Sequence, residues 1–188
     1  MAGEMRPLRE SGFEMSLPCE ISFRFCEMPR YKKLYGAGSL KEMDIGWWDE
    51  DKRHMLLIEL GGEGTWKKFE QAGVRGKPKE SLVNELAAKF TDSLLMLAAA
   101  WAGTEAGQEL KESLPRDAHA YPGTQRIRMI FLLDTPSAHK RSLLIVRKML
   151  KRRLEGKVQL WGLLPIEVID YDSALKLNLP ISRSESDV

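Results

Sequence analysis

The feature that most constrains the fold is a long run of apolar residues at helical spacing. Leu82, Leu86, Phe90, Leu94, Leu97 and Trp101 follow one another at intervals of three and four, the period of one face of an α-helix. Pro78 suits the first turn of this helix and Gly103 ends it. From Leu94 to Trp101 the segment is apolar nearly all round, so it has to be covered on more than one side. The most apolar stretch, Leu94 to Ala102, is only nine residues, far short of the ~20 that cross a bilayer. Its cover must therefore come from the rest of the chain.

The flanking segments can supply that cover. HMLLIEL (54–60) and RIRMIFLLD (126–134) are apolar runs of strand length on either side of the helix. Met43 to Trp48 reads as another strand, joined to His54–Leu60 through the charged turn Asp49 to Arg53, which makes a hairpin. Glu20 to Glu27, EISFRFCE, alternates Ile21, Phe23 and Phe25 against Ser22, Arg24 and Cys26 as a further strand. A short helix from about Glu105 to Ser113 is stopped by Pro115. Thr135 reads as a cap and Pro136 as the first turn of a basic helix that Gly156 ends. Val158 to Leu164 and Ile166 to Tyr171 read as strand material broken at Pro165. The expectation is an α/β (α+β) fold, a single mixed β-sheet flanked by helices. Residues 1–18 read as an N-terminal extension, partly disordered, 19–181 as one domain, and 182–188 as a polar tail.

A chain of 188 residues and 21.4 kDa buries about 70% of its surface on folding, so it needs neither disulfide nor metal to be stable. With 43% hydrophobic and 30% charged residues it is not a disordered or fibrous chain. Cys19 and Cys26 lack a CxxC spacing and have no His near them, which fits a reducing compartment. No apolar run follows the charged segment Met1 to Glu10, so the expected location is the cytoplasm. His54, His119 and His139 form no HxxxH pattern, and neither GxxxxGK[ST] nor GxGxxG occurs. Those absences disfavour a zinc site and the usual nucleotide loops.

The net charge is +2, but Ala138 to Lys157 alone carries +7 and leaves −5 on the remainder. At ~100° per residue, Lys140, Arg141, Arg147, Lys148, Lys151 and Arg152 share one half of the basic helix. Leu143, Ile145, Val146, Met149, Leu150 and Leu154 share the other, with Leu144 and Arg153 as exceptions. Six cations on one stripe repel each other unless an anion lies along them, and the phosphate backbone of DNA or RNA is the natural candidate. The alternative is a solvated face balanced by the acidic remainder. A membrane surface fits less well, because the apolar half is needed for packing.

One carboxylate sits where it is costly. Period-two alternation puts Met55, Leu57, Glu59 and Gly61 on one face of their strand and Leu56, Ile58 and Leu60 on the other. Glu59 in the run LLIEL needs a partner or a cation if it is buried. Antiparallel pairing around the turn near Asp51 brings Asp44 close to Glu59, and the two together would make an oxygen site for Mg²⁺ or Mn²⁺. Alternatively, Asp44 caps a strand or turn and Glu59 pairs with a lysine such as Lys41 or Lys52 across the hairpin. The adjacent Trp47 and Trp48 serve either base stacking or packing, one on each side of the strand. Asp134, ending its strand, is placed for function or simply for the turn that follows. Asp170 and Asp172 read as surface residues of a strand.

Asp44 in MDIGWWDEDKRHMLLIEL, then Glu59, then helix, strand and helix, resembles the restriction-endonuclease-like, or PD-(D/E)xK, nuclease superfamily. The resemblance spans roughly Glu20 to Leu164, with its chemistry confined to Met43–Gly61. It implies a restriction-endonuclease-like core, with Asp44 and Glu59 as metal-binding carboxylates and the backbone carbonyl of Leu60 as a third ligand. It also implies Mg²⁺ or Mn²⁺ as cofactor and hydrolysis of DNA or RNA. One departure stands out, since the family has a lysine two positions after the Glu and this chain has Gly61. Lys67, Lys77 or Lys79 would have to bring the missing charge. Failing that, the chain is an inactive nuclease-like module that binds nucleic acid, a protein partner or a second copy of itself.

Overall fold

The computed structural model of the protein describes residues 4–37, 40–62, 64–65, 78–135 and 140–184. Its centre is a five-stranded sheet in the order β3 (Ser22–Phe23), β4 (Ile45–Asp49), β5 (His54–Gly61), β6 (Ile127–Leu133), β7 (Glu167–Ile169). The first three strands are antiparallel, and β5–β6 and β6–β7 are parallel. A parallel pair needs a crossover connection, and helix α2 (Pro78–Ala102) lies in the one between β5 and β6. β5 and β6 are covered on both faces, which explains their nearly continuous apolar sequences. The expected mixed sheet flanked by helices is therefore present.

Alternation along β5 divides the interior in two. Met55 and Leu57 join Met129, Phe131 and the α2 residues Leu86, Phe90, Leu94 and Leu97 in a first core. Leu56, Ile58 and Leu60 join Ile130 and Leu132 in a second. Helix α1 (Pro29–Ala37), α2, α3 (Glu105–Glu112) and α4 (Lys140–Trp161) lie with the first core. Gly107 of α3 sits against the Ala99 carbonyl of α2, where a Cβ would collide.

The second core is closed by elements that the sequence pattern does not reveal. β1 (Met5–Glu10), β2 (Phe13–Pro18) and β8 (Ile181–Arg183) form a separate three-stranded sheet. With α5 (Tyr171–Lys176) they bury Leu8, Phe13, Met15, Leu17, Ala174 and Ile181. The expectation of a partly disordered extension over 1–18 is thus corrected. Ser11 and Gly12, both at positive φ, make a two-residue hairpin turn. That turn packs on Gly62, where any side chain would strike the Ser11 carbonyl. Ser182 and Arg183, expected in the polar tail, belong to β8, and 185–188 lie outside the described residues.

Three further expectations change. In EISFRFCE only Ser22 and Phe23 pair with β4, flanked by 3-10 turns at Cys19–Ile21 and Phe25–Glu27. The Phe23 ring occupies the space beside Gly46 that a side chain would fill. Pro29–Ala37, between the segments expected to be strands, is helix α1. The basic helix runs through Gly156 as far as Trp161, because Val158 and Trp161 still reach the first core. It stops at Gly162 with φ +57, so the strand material shrinks to β7. The expected cap at Thr135–Pro136 falls partly on 136–139, outside the described residues. Among the described residues no helix is long and apolar enough to cross a membrane.

Candidate active site at Asp44, Glu59 and Lys89

The β4–β5 register pairs Ile45 with Ile58, so one step further Asp44 stands opposite Glu59. Three polar side chains of α2 organise this end of the hairpin. The Asp92 carboxylate accepts the Lys41 N–H at 2.9 Å, and Ser93 Oγ accepts the Met43 N–H at 2.9 Å. The Lys89 ammonium donates to Glu59 Oε1 at 2.6 Å and lies 3.5 Å from Asp44 Oδ1. On the other side, Arg24 Nε donates to the Asp44 carbonyl at 3.1 Å while its Nη2 donates to Glu10 Oε2 at 2.7 Å. Asp44 Oδ2 accepts the Leu60 N–H at 2.7 Å. The carboxylate pair that the sequence pattern brings together therefore meets a cation from a helix.

Burial raises the Asp44 carboxyl above its ordinary pKa, against the pull of Lys89 and the Leu60 N–H. Glu59 is pushed well above the carboxylate range, first by burial and then by the charge of Asp44, which Lys89 only partly offsets. Burial works against the Lys89 ammonium, yet the charges of Glu59 and Asp44 outweigh it and raise its pKa. Two acids share one base, which leaves the cluster one negative charge in excess when all three are ionised.

The donor set fits a hard divalent cation. Glu59 Oε2 is buried with no hydrogen-bond partner, and an orphaned carboxylate oxygen of this kind is costly unless something positive takes it. N–H and C=O of one strand residue point to the same edge, so the Leu60 carbonyl faces the Asp44 side. The Met43 N–H, which would stand opposite Leu60, is spent on Ser93. Among the described residues no group of three or more His, Cys, Asp or Glu is placed to hold a metal. The available ligands are two carboxylates and a carbonyl, the oxygen-only set that suits Mg²⁺ or Mn²⁺ completed by water.

At Gly61, two positions after Glu59, a side chain would displace a neighbour. A Cβ on Gly61 would meet a methyl of Leu133 and the Thr65 hydroxyl. Lys67 and Lys77 lie outside the described residues, and so does the side chain of Lys79. The structural alternative is met in kind, since Asp44 caps the strand end at the Leu60 N–H and Glu59 pairs with a lysine; that lysine is Lys89, while Lys52 pairs with Asp49 at 3.0 Å. Lys89 is the residue that sequence reasoning missed. A signal was present, because it is the sole basic residue between Lys79 and Lys111.

The remaining candidates separate from this cluster. Trp47 packs with the second core and Trp48 with the first. Asp134 pairs with Arg183 at 3.0 Å. Asp170 is not on a strand but caps α5, accepting the Ser173 N–H at 2.9 Å, and Asp172 sits in the first turn of that helix. On α4, Val146, Leu150 and Leu154 are buried, and Lys140, Arg141, Arg147, Lys148, Lys151 and Arg152 are all exposed. Ile145, expected on the buried half, is also exposed. Arg152 and Met149 share a cavity of about 480 Å³ with Val83 and Asn84 of α2, and Asn84 is about 7 Å along the helix from Lys89.

No protein-family model matches the chain, and neither a characterised protein nor a solved structure matches it.

Proposed function

We propose that the protein is a metal-dependent nuclease that hydrolyses phosphodiester bonds in DNA or RNA. Asp44, Glu59 and the Leu60 carbonyl hold Mg²⁺ or Mn²⁺, and Lys89 does the work of the absent motif lysine. The observation that carries this reading is the Lys89 ammonium on both carboxylates, a charge brought from α2 to where the resemblance calls for one. The ion, when bound, lowers the pKa of a bound water and stabilises charge on the scissile phosphate. Lys89 then turns from the carboxylates toward the phosphate, offsetting its charge and orienting the attacking water. Arg24, Ser93 and the Leu60 N–H hold Asp44 in register, so the ligands need little reorganisation. The cations of α4 grip neighbouring phosphates.

Calorimetry with Mn²⁺, run alongside cleavage of single-stranded and duplex DNA and RNA, tests the proposal. Glu59→Ala is expected to lose metal binding and cleavage together. Lys89→Ala keeps metal binding but loses cleavage by about 100-fold or more, the scale of removing one preorganised donor. Cleavage that persists in both variants, or no Mn²⁺ binding at millimolar metal, refutes it. A second reading draws on the same contact, since Lys89 already neutralises much of the carboxylate charge. In that case the chain is an inactive nucleic-acid-binding or protein-interaction module, and its binding survives chelation.

A further inference from the structure

Beside the carboxylate cluster, on the α1 side of α2, lies a cavity of about 480 Å³ that Lys89 also lines. Its wall includes Tyr31 and Tyr35, one turn apart on α1, with Lys32, Lys41 and Glu42 around them. Tyr31 is buried, and its hydroxyl donates to the Leu40 carbonyl at 3.2 Å and to Glu42. The Tyr35 ring rests against the Tyr31 ring at 5.8 Å between centroids and a tilt of 32°, while remaining 62% exposed. The outer ring is therefore an open aromatic face on a fixed support, in a cavity that Lys32 and Lys41 also line. An aromatic face next to cations is the combination that single-stranded nucleic acid uses, base on ring and phosphate on charge. Bases inside a duplex are stacked on each other and have no face to offer unless one is flipped out.

We infer that this cavity takes an unpaired nucleotide of the substrate strand, its base on Tyr35 and its phosphate toward Lys32 and Lys41. The preferred substrate is then single-stranded or locally unpaired nucleic acid rather than intact duplex. This rests on the nuclease reading above and narrows its substrate. Of the acidic lining groups, Glu42 is engaged by the Tyr31 hydroxyl, and Glu85 is exposed. Against them stand Lys32 and Lys41, while the Lys89 ammonium at the cavity's inner end is held by Glu59 and Asp44, so the two outer lysines are the cations that meet the phosphate.

The test is fluorescence anisotropy in EDTA with the full chain and labelled 12-nucleotide single strands of DNA and of RNA, and a DNA duplex of the same sequence. Tyr35→Ala is expected to weaken binding of at least one single strand by about 5- to 100-fold, the size of one base–aromatic stack. Tyr35→Phe, which keeps the ring, stays within twofold of the unmodified protein, and duplex binding is unchanged in both variants. The strand that responds identifies the sugar. Single-strand binding indifferent to Tyr35→Ala, or an equal loss for duplex, overturns the inference. The titration is blind to hydrolysis, so the two readings fail separately. Tyr35-dependent binding with no cleavage in Mn²⁺ removes the nuclease and keeps the pocket. Cleavage that Asp44→Ala abolishes, with binding indifferent to Tyr35→Ala, does the reverse.

Discussion

At the scale of single residues, Glu59 shows how a site can be held against the preference of its own side chain. Its carboxyl is pushed upward by burial and by Asp44, and one oxygen has no hydrogen-bond partner. A carboxyl whose pKa is higher in the folded than in the unfolded chain makes folding less favourable as pH rises through the interval between the two values. Below the unfolded value, near the usual ~4.3, that penalty is absent. Glu59→Gln removes the titration, so in EDTA the variant should be more stable than the unmodified protein at pH 8. The difference should shrink to nothing toward pH 4 in thermal melts, and a variant that is less stable at pH 8 contradicts this account. Much of this cluster was legible beforehand. A Glu inside LLIEL, a turn of known length and an Asp beyond it are enough to bring two carboxylates face to face. Lys89 was not, because local patterns report neighbours in sequence and this contact joins residues 30 apart.

At the scale of elements, α2 and α4 have different tasks. Helix α2 is both the largest contributor to the first core and the clamp of the hairpin end, through Lys89 and, one turn on, Asp92 and Ser93. Helix α4 buries one stripe and exposes its cations. Lys148→Glu with Lys151→Glu should therefore leave the melting temperature within about a degree while weakening nucleic-acid binding. Because each lost phosphate contact removes about one from the slope of log K against log salt, a salt titration checks it. Unchanged affinity and slope would mean that this face is only solvated. The apolar periodicity that revealed β5, β6 and α2 is strong because these elements are covered on both sides or along a wide stripe. It failed where burial is narrow. Helix α1 is anchored chiefly through Tyr31, and the last turns of α4 continue past Gly156 on two side chains, Val158 and Trp161. Propensity at Gly156 favours a stop by only ~1 kcal/mol, which packing on the sheet overrides.

At the scale of the whole molecule, the central sheet is sandwiched, with helices on one face and the small sheet with α5 on the other. The β1–β2 hairpin escaped sequence reading because three alternating apolar residues, Phe13, Met15 and Leu17, are too short a pattern to stand out. Its removal uncovers Ile45, Leu56, Ile58 and Leu60. A chain lacking residues 1–18 is expected to aggregate or to melt well below the intact protein, as size-exclusion chromatography and thermal unfolding would show. A truncated chain that is monomeric and equally stable would contradict the second core. The small sheet also joins the two ends of the described chain, for Glu14 and Ser182 pair although 168 residues separate them. Contacts this distant form late and slowly. During translation, Asp44, Glu59, Lys89 and their core leave the ribosome well before β8 does. The nascent chain thus holds its whole candidate site, and an apolar sheet face still lacking its last strand, until β8 emerges and reaches the edge of β2.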